Sequence, residues 1–197
     1  MQQCSDMADR LYLSYWIHGF TQHNMLRHFE TMLRRFPFSR LSPRVRLRIY
    51  AVEEIEPPAL EREFADPMDL GAVIHAAREF QHPDCAYHVD TAWDIWQFEA
   101  DWELRPAPLT LSCYGPLIAS ELGEQLRIEF GLDSQFLPQP ELSGNLAPVR
   151  HNIRALLHLA EDLDASLAVD RRRLWSESGE NLVGRLQAAL SGEFLQG

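Results

Sequence analysis

The sequence predicts an α+β domain: a mixed or mostly antiparallel sheet of about five strands with helices packed on one face, in the order β-α-β-α-β-β-β-α-α. Three observations carry this. Residues 44–52, RVRLRIYAV, alternate apolar and polar with period two, as a half-buried strand must. Residues 149–167 place Ile153, Leu156, Leu157, Ala160 and Leu163 at helical spacing. Three strand-like segments follow one another between about 86 and 131 with no helix between them, which favours an antiparallel meander over a run of β-α-β units.

The elements follow in order. Residues 11–20, LYLSYWIHGF, are aromatic-rich and read as a strand with Leu11, Leu13, Tyr15 and Ile17 on one face and Tyr12, Ser14, Trp16 and His18 on the other. Thr21 can cap a helix over about 22–36, whose stripe is Met25, Phe29, Met32, Leu33 and Phe36, and Pro37 stops it. In 44–52 the side chains of Val45, Leu47, Ile49 and Ala51 face a core, while Arg44, Arg46, Arg48 and Tyr50 face away. Residues 53–65 read as an acidic connector with Pro57 and Pro58. Asp66 and Pro67 start a helix over Leu70, Val73, Ile74, Ala77 and Phe80. Residues 86–98 form a strand with His88, Asp90, Asp94 and Trp96 on the outward side. Short strands follow at 109–114 and 125–131, a proline-rich loop spans 132–148, and Ser178 can cap a last helix. The first strand-helix-strand unit reads as a crossover, which would run its two strands in the same direction. A split β-α-β arrangement of ferredoxin type is one topology of this kind.

The chain of 197 residues suits a single domain over 1–197, with 1–9 as a flexible tail. At this length roughly 70% of the unfolded surface can be buried, so no staple is needed. All 18 basic residues are arginine; there is no lysine. That excludes a P-loop phosphate site and Schiff-base chemistry, both of which need the lysine amine. The three scattered cysteines suggest a reducing compartment. The sequence shows neither a signal-peptide pattern nor an 18-residue apolar run, and the expected location is cytoplasmic, with no membrane partner.

The net charge of −11 is unevenly distributed: residues 1–52 carry a net +5 and residues 53–197 a net −16. The overall acidity argues against nucleic acid as a partner, because phosphate repels it. The arginines of the first quarter either pair with acids elsewhere in the fold or form a local anion site, for which the guanidinium fork is suited.

Strand parity then gathers an unusual surface. The outward residues mix large aromatics with both signs of charge, the residue types that dominate binding hot spots. The candidate ligand- or partner-binding residues are Trp16, His18, Arg44, Arg46, Arg48, His88, Asp90 and Asp94. Arg44, Arg46 and Arg48 are also placed to pair across strands with Asp90 and Asp94. His88 and Asp90, two apart on a strand, lie about 6–7 Å apart on one face and could form an acid–base pair. The stretch from His82 to Asp90 matches no metal motif, and no metal or other cofactor is expected. His151 and His158 are too far apart along one helix to share an ion, the run Arg171 to Arg173 is a weak anion site, and Cys113 faces the core as an inert thiol. The motifs G-x-S-x-G, H-E-x-x-H and G-x-G-x-x-G are absent.

The reading that follows is a non-enzymatic binding protein that uses this sheet face for a protein partner or a small anionic ligand. One alternative is a small enzyme with a His/Asp acid–base site and arginines for an anionic substrate on the same face. A second is a structural subunit burying the face in a homodimer.

Overall fold

The computed structural model describes residues 9–52, 57–65, 68–138, 146–177 and 181–191. Its strands are β1 (Arg10–Ile17), β2 (Arg44–Ala51), β3 (Leu60–Ala65), β4 (Cys85–Phe98), β5 (Trp102–Tyr114), β6 (Leu126–Leu132) and β7 (Val169–Ser176). The helices are α1 (Met25–Arg35), α2 (Leu70–Arg78), α3 (Ala147–Ser166) and α4 (Leu182–Ser191). All seven strands belong to one sheet in the order β3-β2-β4-β5-β6-β1-β7, and every neighbouring pair is antiparallel.

The class is therefore α+β, but with seven strands where the sequence suggested about five. The two additional strands are the edges, β3 and β7. β3 falls in the stretch read as an acidic connector, and β7 contains Asp170, Arg171, Arg172 and Arg173, read as a charge run. An edge strand is solvated on one side, so its apolar period is weak; that physical fact hid both. β5 also begins at Trp102, well before residue 109. Pro106 and Pro108 lie within it. They are tolerated because they lie beyond Thr110↔Glu129, the last β5–β6 pair, where no neighbour calls for their missing N–H.

The crossover has the expected sense but a wider span. Four antiparallel steps separate β1 from β2, so the two run in the same direction, with β6, β5 and β4 between them. The β-α-β unit is split by three strands, and there is no parallel pair in the sheet.

Local signals set the helix ends. Asp69 caps α2, its side chain accepting from the backbone N–H of Gly71 at 2.8 Å and Ala72 at 3.3 Å. Asp66, Pro67 and Ser178 lie outside the described residues, as does most of the 1–9 tail. Before α1, Asn24 rather than Thr21 uses its side chain, accepting from Thr21 N–H at 2.8 Å. Asn181 accepts from Gly184 N–H at 3.2 Å at the start of α4.

The core lies on one side of the sheet. Leu11, Leu13, Tyr15, Val45, Leu47, Ile49, Tyr87, Val89, Leu111, Cys113, Leu126 and Ile128 are buried against Met25, Phe29, Met32 and Leu33 of α1, Val73 and Ile74 of α2, and Ile153, Leu156 and Leu163 of α3. Fully burying each such side chain is worth roughly 1.5–3 kcal/mol. Asn152, itself buried on α3, ties the helix layer to the sheet: it accepts from Trp96 N–H at 2.9 Å and donates to Trp96 C=O at 2.8 Å and Gln135 C=O at 3.0 Å. Among the described residues no helix is long and apolar enough to cross a membrane.

Candidate functional site

With the helices on one side, the other face of the sheet carries the residues that strand parity assigned to it. The register puts them in rows that cross the sheet. One row runs Glu61, Arg48, His88, Ser112, Arg127, Ser14, Arg173, and the next runs Glu63, Arg46, Asp90, Thr110, Glu129, Tyr12, Trp175. Each member lies directly opposite its neighbour, so all project from the same side of the sheet.

The middle of this face covers itself. Tyr12, His88, Tyr114 and Trp175 are at most 9% exposed, although no helix lies over them in the core cluster. Small residues at Ser14, Ser112 and Ala86 leave room for large side chains to lie down between them. Trp175 stacks on Tyr12 with centroids 4.4 Å apart and donates from Nε1 to Ser14 Oγ at 3.1 Å. The Arg127 guanidinium lies 5.6 Å from the Tyr12 ring centre and 5.2 Å from that of Tyr114. Its Nη1 is 3.4 Å from a carboxylate oxygen of Glu121 and 3.4 Å from one of Glu124, whose side chain is fully buried. Of the outward aromatics Tyr12 and Tyr114 are thus buried, while Tyr50, Trp96 and Trp16 stay half-buried, Trp16 beneath Arg171 with the guanidinium carbon 3.6 Å from the ring centre.

His88 lies in this packed middle. Its ring meets Tyr50 edge-on at 5.4 Å and Tyr114 at 5.8 Å, and Nδ1 is 2.8 Å from Ser112 Oγ. Asp90 has different partners. Arg48 forks it, Nε to Oδ2 at 2.6 Å and Nη2 to Oδ1 at 2.7 Å, and Thr110 Oγ1 donates to Oδ1 at 2.8 Å. Arg48 Nη1 also donates to Tyr50 Oη at 2.8 Å. The carboxylate and the tyrosine oxygen hold the Arg48 pKa above its ordinary value, against the opposing effect of burial. Hence His88 and Asp90 share a face, as expected, but each is committed to its own neighbours.

Two candidates lie apart from the rest. His18 falls in the turn after β1, because the β1–β7 register slips between Trp16 and Ile17; it is exposed, with Nδ1 3.1 Å from Asp170 Oδ1. Asp94 serves the 39–42 loop, accepting from Ser39 Oγ, from Arg40 N–H at 2.8 Å and from Leu41 N–H at 3.4 Å. It therefore takes no part in pairing with Arg44, Arg46 or Arg48, and the expected cross-strand ion pairs reduce to Arg48–Asp90.

Beside the packed middle the face opens into a recess of about 290 Å³ lined by Ser42, Arg44, Arg46, Glu63, Asp90, Thr91 and an apolar floor of Val45, Ala92, Pro106 and Pro108. Arg44 and Arg46 are exposed at its rim; Arg46 Nη1 is 3.5 Å from Glu61 Oε1. Arg48 pairs with the Asp90 carboxylate, so the recess combines the exposed guanidinium groups of Arg44 and Arg46 and the Glu63 carboxylate with an apolar base. Pro106 and Pro108, which help build the recess, and Thr110, which holds Asp90, were not among the candidates; the part of the two prolines depends on a hairpin longer than the sequence suggested, whereas Thr110 falls in the strand read at 109–114.

The His82–Asp90 stretch does not converge on one point. His82 and Asp84 pair with each other in a turn at 2.5 Å, whereas His88 and Asp90 project from β4. Among the described residues no group of three His, Cys, Asp or Glu side chains is placed to hold a metal ion. Cys113 is completely buried, and burial pushes its thiol pKa far up, which suppresses the thiolate needed for reactivity. Comparison of the chain with protein-family models, with curated proteins and with solved structures finds no match.

Proposed function

We propose that this protein is a binding protein whose outer sheet face takes the anionic group of a ligand in the recess beside Arg44 and Arg46. The single observation that carries the reading is the composition of that recess. Its size lies at the lower end of the range of small-molecule sites, its floor is apolar, and its rim offers two arginines against one carboxylate, Glu63, beyond the Asp90 that Arg48 pairs. Such a site suits a carboxylate or phosphate attached to a small apolar body: the body covers Pro106, Pro108 and Ala92 while the oxygens meet guanidinium N–H groups. Arg48 does not compete for the ligand, since Asp90 and Tyr50 already occupy its donors.

The acid–base alternative has less support. His88 does not line the recess, and both carboxylate oxygens of Asp90 are engaged by hydrogen bonds from Arg48 and Thr110.

Benzoate, a ring bearing one carboxylate, is a suitable probe, with benzamide as the uncharged control. Titration followed by backbone amide shifts is expected to move Val45, Arg46, Thr91 and Ala92 for benzoate and not for benzamide. Arg44→Gln with Arg46→Gln should weaken the benzoate response at least tenfold. Equal responses to both probes, or shifts confined to other parts of the sheet, would remove the proposal.

A further inference from the structure

The two edges of the sheet carry opposite charges on the same face. On β3, Glu61 and Glu63 project from the outer side, opposite Arg48 and Arg46. On β7, Arg171 and Arg173 project from that same side, opposite Trp16 and Ser14. Among the described residues no strand pairs with the free flank of either edge.

We propose that the protein assembles head to tail, the β7 edge of one copy joining the β3 edge of the next so that Arg171 and Arg173 meet Glu61 and Glu63 of the adjoining copy. Six antiparallel steps separate β3 from β7, so the two edges run in the same direction. A second copy laid beside the first with its outer face on the same side therefore joins by a parallel strand pair. Placing Arg171 beside Glu61 and Arg173 beside Glu63 keeps all four side chains on the outer face.

The charges also reject the symmetric alternatives. Two β3 edges would bring carboxylates together, and two β7 edges would bring guanidinium groups together, each of which is destabilising across a strand pair. On the outer face only the unlike edges match; on the inner face the same register sets Arg62 beside Arg172, whose guanidinium already pairs with Asp164.

The arginines are available for this contact. Nine other arginines make side-chain ion pairs, including Arg172, which lies between the two on the opposite face and bonds Asp164. Among the described residues Arg171 and Arg173 make none; they rest on the rings of Trp16 and Trp175, at 3.6 and 5.7 Å. Stacking orients a guanidinium while leaving its edge donors free for a carboxylate. Glu63 likewise has no ion pair among the described residues, and Glu61 has only the 3.5 Å contact with Arg46.

An edge-to-edge joint of this kind is heterologous, so it propagates to a ring or an open filament and not to a closed pair. The net charge of −11 per copy opposes association, but at physiological ionic strength the screening length is about 8 Å, which mutes whole-molecule repulsion more than contacts made within the joint.

Sedimentation over a range of protein concentrations at physiological ionic strength tests this. The weight-average mass is expected to rise with concentration to at least twice the 22.7 kDa of one chain. R171E/R173E alone and E61R/E63R alone should each stay at the single-chain mass, with an unchanged circular dichroism spectrum. Mixing these two variants in equal amounts should restore association, because every β7–β3 junction between unlike copies is again a match of opposite charges. A wild-type chain that remains at 22.7 kDa at every concentration overturns the proposal, whatever the variants do. So does association that survives either reversal, or a mixture that fails to reassociate although both variants are folded.

Discussion

Arg48 and Asp90, on neighbouring strands, form a two-pronged ion pair with N···O distances of 2.6 and 2.7 Å, and both side chains are about 30% exposed. The two residues are not directly opposite: the register pairs Arg48 with His88 and Arg46 with Asp90. The long arginine reaches diagonally, and that reach leaves Arg46 at the rim of the recess. The pair thus separates a buried half of the outer face from an accessible one.

Replacing Arg48 with Met should destabilise the protein by about 1.5–3 kcal/mol, the usual worth of hydrogen bonds to a charged group. Partial exposure puts the expected value toward the lower end. A double-mutant cycle with Asp90→Asn, read by urea unfolding, should recover about 1 kcal/mol or more of coupling; purely additive losses would show that the pair adds nothing beyond its separate groups.

Asp94 holds the 39–42 loop through Ser39, Arg40 and Leu41. Asp94→Ala should speed hydrogen exchange at the Arg40 and Leu41 amides by about tenfold or more, since loss of a charge-assisted bond of this kind costs over about 1.4 kcal/mol locally. Amides of α3 should exchange as before. Unchanged rates at Arg40 and Leu41 would count against the clamp.

Gly115 is required by space and not by backbone angle. A Cβ there would stand 2.4 Å from Pro83 C=O and 2.8 Å from Cys85 C=O, both backbone atoms that cannot swing aside. Gly115→Ala should cost about 1–3 kcal/mol, the range for overpacking a closed site. Gly123→Ala is a contrast of another kind: nothing lies within 4 Å of its Cβ position, and the cost there comes from its φ of +75°.

His28 is buried on α1, and burial lowers its pKa below the ordinary 6.5, with the Arg27 charge acting in the same direction. The folded state therefore holds His28 neutral while the unfolded chain takes up a proton. The unfolded state binds more protons as pH drops through 6.5, so stability falls in that window until the folded pKa is also passed. His28→Leu should flatten this limb of the stability profile measured by denaturant unfolding between pH 7 and about 5. A limb of unchanged slope would show that other groups produce it.

Tyr12 lies at the opposite end of the scale. Burial under Trp175, reinforced by the Glu129 and Glu177 carboxylates, pushes its pKa up to about 12. The unfolded phenol ionises near 10, so the stability that Tyr12 contributes is complete below about pH 10 and declines as the pH rises toward 12. Tyr12→Phe should remove that decline. A phenolate band in the native protein that loses one tyrosine's worth of amplitude near pH 10 in Tyr12→Phe would contradict the burial.

The sequence carried the parity of the sheet because alternation is local. Val45, Leu47 and Ile49 need a core, so Arg44, Arg46 and Arg48 must face away from it, whatever strands lie alongside. The same logic placed His88 and Asp90 on one side of β4. It also reached the α+β class, the four helices within a few residues and the buried Cys113. It failed at β3 and β7, whose solvated flanks weaken the apolar period, and at His18, where a slip in the β1–β7 ladder ends the strand two places before the GF that closes residues 11–20.

What only the tertiary structure decided is who sits beside whom. Strand order gave Arg48 to Asp90, gave Asp94 to the 39–42 loop, laid Arg127 over Tyr12 and Tyr114, and put unlike charges at the two ends of the sheet. No local pattern encodes these, because each joins residues distant along the chain through packing that only the assembled sheet supplies. The chain alone dictates which way a side chain points; the assembled sheet dictates what it finds there, since direction follows from backbone period and neighbourhood from the pairing of strands.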